Sequence, residues 1–171
     1  MRKKTRLRHN SNNLAIYLPV MLSFLVAFCL MIIPINPAWK WIRPDLVTLV
    51  LIYWVANSNG HIGVLFAFFV GILFDLLSGT LVGSMGLTLG IVAYFTMNLR
   101  LRLRIYRSWQ KFIIIMLLLA CSQLIRLWIQ MLVGHPPASF LYWLSSLISA
   151  SLWPLICFIL NPYQRSMKLV V

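Results

Sequence analysis

The sequence predicts an all-α integral membrane protein, a compact bundle of about six transmembrane helices with both termini in the cytoplasm. Three observations carry this: an apolar excess, basic residues gathered in alternate loops, and small residues spaced four apart in one oily stretch. The chain has 171 residues, a length that suits one domain. It is 61% hydrophobic and 10% charged, against about 45–50% and about 25% in soluble proteins. A water-soluble fold could not bury that much apolar surface, so the bilayer is the solvent. The net charge of +13 invites a nucleic-acid reading, but twelve of the fifteen Lys and Arg sit in Arg2–Arg8, in Arg100–Lys111, and at Arg165 and Lys168. A basic excess confined to alternate loops is the positive-inside pattern of an inner-membrane protein, with attraction to anionic headgroups as a secondary effect. No nucleic-acid partner is expected.

The first expected span, Leu14–Ile35, reaches about 33 Å, and Pro19 and Pro34 are expected to bend it or mark its ends. It follows a basic segment as a signal peptide would. The run is too long for one and lacks a convincing cleavage site, so it is expected to remain as a span. The second has an apolar centre, Leu46–Ala56, of only about 16 Å. It crosses only if extended to Trp41–Asn57 with Arg43 snorkelling to the interface; as a re-entrant segment it would need the next two spans to form a half-crossing hairpin. Pro44 suits the first helical turn, and Asp45 the positive end of the helix dipole. Gly60–Ser78, Thr80–Leu99, Phe112–Val133 and Phe140–Leu160 complete the six. The Arg2–Arg8 and Arg100–Lys111 clusters should share one side, which requires an even number of crossings between them. The resulting division is a basic cytoplasmic tail at 1–13, a transmembrane domain at 14–161 and a cytoplasmic tail at 162–171.

Gly63, Ala67, Gly71, Asp75 and Gly79 share one face of the third span. Small residues at this spacing admit another helix backbone, and an acid in lipid is costly, about 2.5–3.5 kcal/mol at the bilayer centre. Gly83, Gly86 and Gly90 continue the pattern, so the third and fourth helices are expected to pack tightly on each other or on the first, where Ser23 and Ala27 form a small pair. Asp75 and Arg126 lie at similar depths. A structural ion pair between them is the leading expectation; a proton or ion relay, or separate partners, are the alternatives. Ser122, Arg126 and Gln130 share a face of the fifth helix, with Gln123 adjacent, and Ser145 and Ser149 could match them from the sixth.

Catalysis finds little support. His9, His61 and His135 have no carboxylate, Cys or second His at ligand spacing. Cys29, Cys121 and Cys157 read as small buried apolar residues. Gly83-Ser84-Met85-Gly86 superficially resembles an intramembrane protease motif but lacks a base. No cofactor or metal is expected. Trp39, Trp41, Trp54, Trp109, Trp143 and Trp153 fit an interfacial belt.

Arg43-Pro44-Asp45 opening an apolar helix through Tyr53-Trp54, followed by Gly71-Ile72-Leu73-Phe74-Asp75-Leu76-Leu77-Ser78-Gly79 and then Gly83, resembles the rod shape-determining protein MreD family. The resemblance extends to length, span order and basic loops. It implies a non-enzymatic scaffold of the elongation machinery in the bacterial inner membrane. The partners implied are the bitopic protein MreC, cytoplasmic MreB filaments, and a wall-synthesis polymerase and transpeptidase. Carried over residue by residue, Arg43, Pro44, Asp45, Gly71, Asp75, Ser78, Gly79 and Gly83 would hold the bundle and its partner surface; Arg126 is added on physical grounds alone. The alternative is the substrate-binding membrane subunit of an energy-coupling-factor-type small-molecule transporter, in which Asp75, Arg126, Gln130 and the serines would line a solute pocket.

Overall fold

The computed structural model of the chain describes residues 3–33, 43–57, 62–79, 81–106, 108–134 and 144–168. Among them every regular element is helical: α1 (Lys3–Ile32), α2 (Leu46–Asn57), α3 (Val64–Ser78), α4 (Ser84–Ile105), α5 (Ser108–Leu132), α6 (Leu144–Ser151) and α7 (Trp153–Lys168). The first helix begins at Lys3, so the basic N-terminal segment extends it rather than standing apart. Trp41, the Phe140–Trp143 start of the sixth expected span, His61 and His135 lie outside the described residues.

The expected Phe140–Leu160 span is broken. A turn at Leu152 separates α6 from α7. Pro154 is the cause, since it has no N–H to offer Ala150 and its ring crowds that carbonyl, while it is well suited to the first turn of a new helix. The chain bridges the break with hydrogen bonds from the Leu152 N–H to the carbonyls of Ile148 and Ser149, both 3.1 Å.

Trp109–Leu132, within α5, has 24 residues and mean hydropathy 2.3, and is the one described helix both long and apolar enough to cross a bilayer. Leu18–Ile32, Leu46–Asn57 and Val64–Ser78 are shorter apolar helices. The short α2 is hydrophobic on every side, which makes it a central helix: Val47 through Ala56 are all buried.

Aromatic contacts give the helix directions. Phe24 meets Phe66 at 6.0 Å and Phe28 meets Phe74 at 5.2 Å, so α1 and α3 run the same way. Trp54 reaches back to Ser23 while Arg43 reaches the end of α1, so α2 opposes α1. α4 opposes α3 in turn, with Gly90 beside Val64 and Gly86 beside Ile72. The α1 and α3 C-termini and the α2 and α4 N-termini therefore gather at one end of the bundle. On α3, Leu65, Phe69, Leu73 and Leu76 are exposed, whereas Ala67, Gly71 and Asp75 are buried. The small-residue face looks into the protein, and the large aliphatic face looks out.

Candidate polar sites at one end of the bundle

Asp75 sits one turn before the end of α3, buried to 1% exposure. Its Oδ2 accepts hydrogen bonds from the backbone N–H groups of Gly83 and Met85, both at 2.9 Å, and its Oδ1 from the Ser84 hydroxyl at 3.2 Å. These are the unpaired donors at the start of α4, whose own N-cap residue, Gly83, has no side chain to serve them. A carboxylate from the preceding helix thus caps the next one, at the positive end of its dipole. The connection is tight. Gly79 (φ 62°) closes α3 in the left-handed region, its N–H donating to the Asp75 carbonyl, and Gly83 (φ 97°) opens α4. Both conformations favour glycine. Deeper in the hairpin, a Cβ on Gly71 would stand 2.5 Å from the Gly86 Cα and 2.6 Å from its nitrogen, so the two backbones touch there. Ser78 is exposed at the end of α3.

The second cluster surrounds Arg43-Pro44-Asp45. Arg43 Nη2 donates to the Leu30 and Ile33 carbonyls at 3.1 Å and also to the Met31 carbonyl, closing the C-terminus of α1. Asp45 caps α2: its Oδ1 accepts from the Thr48 N–H at 3.3 Å and its Oδ2 from the Thr48 hydroxyl at 2.6 Å. From α5, the Arg126 guanidinium forms an ion pair with Asp45 Oδ2. Arg126 Nη2 also donates to Ser122 Oγ at 3.3 Å. From α6, Ser145 donates to the Arg43 carbonyl at 2.6 Å, and Ser149 accepts from the Asp45 N–H at 2.8 Å. Four helices are thereby tied to three residues of chain.

The ion pair expected between Asp75 and Arg126 is therefore made by Asp45 in place of Asp75. The reason is topological: α5 packs principally on α4, α6 and α2, while the Asp75 carboxylate is directed at the α4 N-terminus. The Asp45–Thr48 spacing is an N-cap signal that was readable in the sequence. Its meeting with Arg126, 81 residues away, has no local signal.

Other expectations are revised. Trp54 belongs to no interfacial belt; it is buried, and its Nε1 donates to Ser23 Oγ at 2.8 Å. Cys29 is exposed on α1, and Cys121 and Cys157 are partly buried. Among the described residues, no three His, Cys, Asp or Glu side chains gather as metal ligands.

The sequence model of the family described as rod shape-determining protein MreD matches residues 12–162. Among curated proteins, the rod shape-determining protein MreD of Haemophilus influenzae is 27% identical over 149 residues, covering 85% of this chain and 90% of that protein. No solved structure matches. The match spans both polar clusters and every helix between them, and the chain belongs to the MreD family of rod shape-determining membrane proteins.

Proposed function

We propose that the protein is a non-enzymatic scaffold of the cell-elongation machinery, crossing the bacterial inner membrane several times and linking MreC and cytoskeletal MreB to the polymerase and transpeptidase of peptidoglycan synthesis. The family match from residue 12 to residue 162 is the observation that carries the reading. The polar chemistry agrees with it. Both acids and the guanidiniums of Arg43 and Arg126 are engaged in capping helices or tying them together, which is the work of a shaped surface rather than of a reaction centre. In the proposed topology the end carrying Arg100, Arg102 and Lys111 faces the cytoplasm and the end carrying Asp45 and Asp75 faces outward. α6 and α7 together make the last of six crossings, placing both termini inside.

The transporter alternative calls for convergent polar groups facing a solute. Here the Asp45, Arg126, Ser145 and Ser149 groups face one another across helix junctions. Affinity purification of the full chain in mild detergent separates the two readings. Recovery of MreC and wall-synthesis enzymes is expected. Recovery of an ATPase module with a bound small solute, and no wall-synthesis protein, would overturn the scaffold reading.

A further inference from the structure

We propose that the groove between α1, α2 and α7 holds one phospholipid, with an acyl chain along α1 and an anionic headgroup at Arg43. The groove encloses about 270 Å³ and runs on α1 from Pro19 to Leu30, with Leu46 of α2 and Leu155 of α7 on the other walls. At 1.5 Å per residue that length of helix is about 16 Å, close to the hydrocarbon depth of one leaflet, about half of ~30 Å.

Its lining suits hydrocarbon. Ser23 is the one polar residue in the wall, and its hydroxyl is engaged twice, donating to the Val20 carbonyl at 2.7 Å and accepting from Trp54 at 2.8 Å. A polar solute would find no partner. A second transmembrane helix would need small residues at the rim to approach closely; the rim instead carries the exposed branched side chains of Leu22, Val26, Leu155 and Ile159. A flexible chain packs between such groups where a helix backbone cannot.

The charge comes from beside the groove, whose wall itself holds no charged residue. Leu30 and Leu46 both line it, and Arg43 bonds the Leu30 carbonyl through Nη2 alone. Its Nε and Nη1, with no partner among the described residues, remain to meet a headgroup phosphate, for which a guanidinium is well matched. The site shares Arg43 with the Asp45 cluster, is separate from the Asp75 cluster, and depends on membrane residence, not on the scaffold assignment.

The full-length protein in nanodiscs of phosphatidylcholine carrying a trace of phosphatidylglycerol with a mid-chain diazirine tests this. Irradiation is expected to label peptides containing Leu22–Val26 and Leu155–Ile159 above the exposed outer face of α3, with unlabelled phosphatidylglycerol competing about fivefold better than phosphatidylcholine. Val26→Trp, at an exposed lining position, should cut labelling about tenfold. Arg43→Gln should remove the headgroup preference and Arg43→Lys keep it. Inorganic phosphate should not compete. Labelling spread evenly over all exposed helix faces of the wild-type protein would overturn the proposal whether or not the variants fold, as would a groove protected by a co-purifying protein helix.

Discussion

Single side chains in this protein act by closing helix ends. Asp45 serves α2 and Asp75 serves α4, each satisfying backbone donors that lipid would leave unpaired. They differ in their other partners, and a double-mutant cycle exposes the difference. Asp45→Asn and Arg126→Gln are expected to couple by about 0.6–1.7 kcal/mol, the range of interhelical polar contacts in membranes. Asp75→Asn and Arg126→Gln should add within about 0.5 kcal/mol, since the hydrogen bonds described for Asp75 go to the α4 N-terminus and those for Arg126 to Asp45 and Ser122. Unfolding of the purified variants in mixed detergent measures both. An Asp45→Arg, Arg126→Asp exchange should rescue only partly, because arginine restores the charge pair but cannot accept the Thr48 N–H. Asp75 and Arg126 stand out in the sequence as costly charges in oil, and Asp45 as a residue suited to the positive end of a helix dipole. Which acid meets the arginine does not, since that depends on how α5 sits against α2.

Among the elements, the α3–α4 hairpin was the most legible, because its packing is encoded by what is missing. Gly71 and Gly86 let two backbones touch, and their spacing in the sequence marks an inward face. The glycines are not equivalent, however, and their substitution costs should rank accordingly. Gly71→Ala puts a methyl group against backbone that cannot step aside and should cost about 1–3 kcal/mol. Gly79→Ala and Gly83→Ala have open space but positive φ, and should cost about 1–2 kcal/mol each. Gly90→Ala, whose nearest neighbour would be 3.8 Å away, should be nearly neutral or slightly stabilising through helix propensity. Thermal unfolding in one detergent ranks the series, and a Gly90→Ala loss matching that of Gly71→Ala would contradict it. The break at Leu152 is not legible from hydropathy averaged over the span, because apolar residues lie on both sides of it and serines are common within membrane helices. Whether Pro154 breaks a helix depends on whether the turns on either side have other contacts to hold them. The central position of α2 is similar: its all-round hydrophobicity marks burial, but its 12 residues do not say what surrounds it.

For the molecule as a whole, charge is sorted by end. Both acidic residues lie with Arg43 and Arg126 where α1 and α3 finish and α2 and α4 begin, while Arg100, Arg102 and Lys111 lie at the α4–α5 junction. In the proposed topology that asymmetry orients the bundle, with the basic end inward. With Cys29, Cys121 and Cys157 replaced by alanine, Leu101→Cys should react with a membrane-impermeant maleimide only after the inner membrane is permeabilised, and Val133→Cys in intact spheroplasts. The reverse pattern would invert the topology and move the proposed MreB-facing surface to the wrong side. The most direct test of the account needs no substitution. A lipid-soluble carbodiimide modifies carboxyl groups that face acyl chains, and this protein has only two acidic side chains. In native membranes neither Asp45 nor Asp75 should be labelled, and both should become reactive once the bundle is unfolded in strong detergent. Stoichiometric modification of Asp75 in the native membrane would show the glycine-lined face of α3 turned toward lipid, and the packing described here would be wrong.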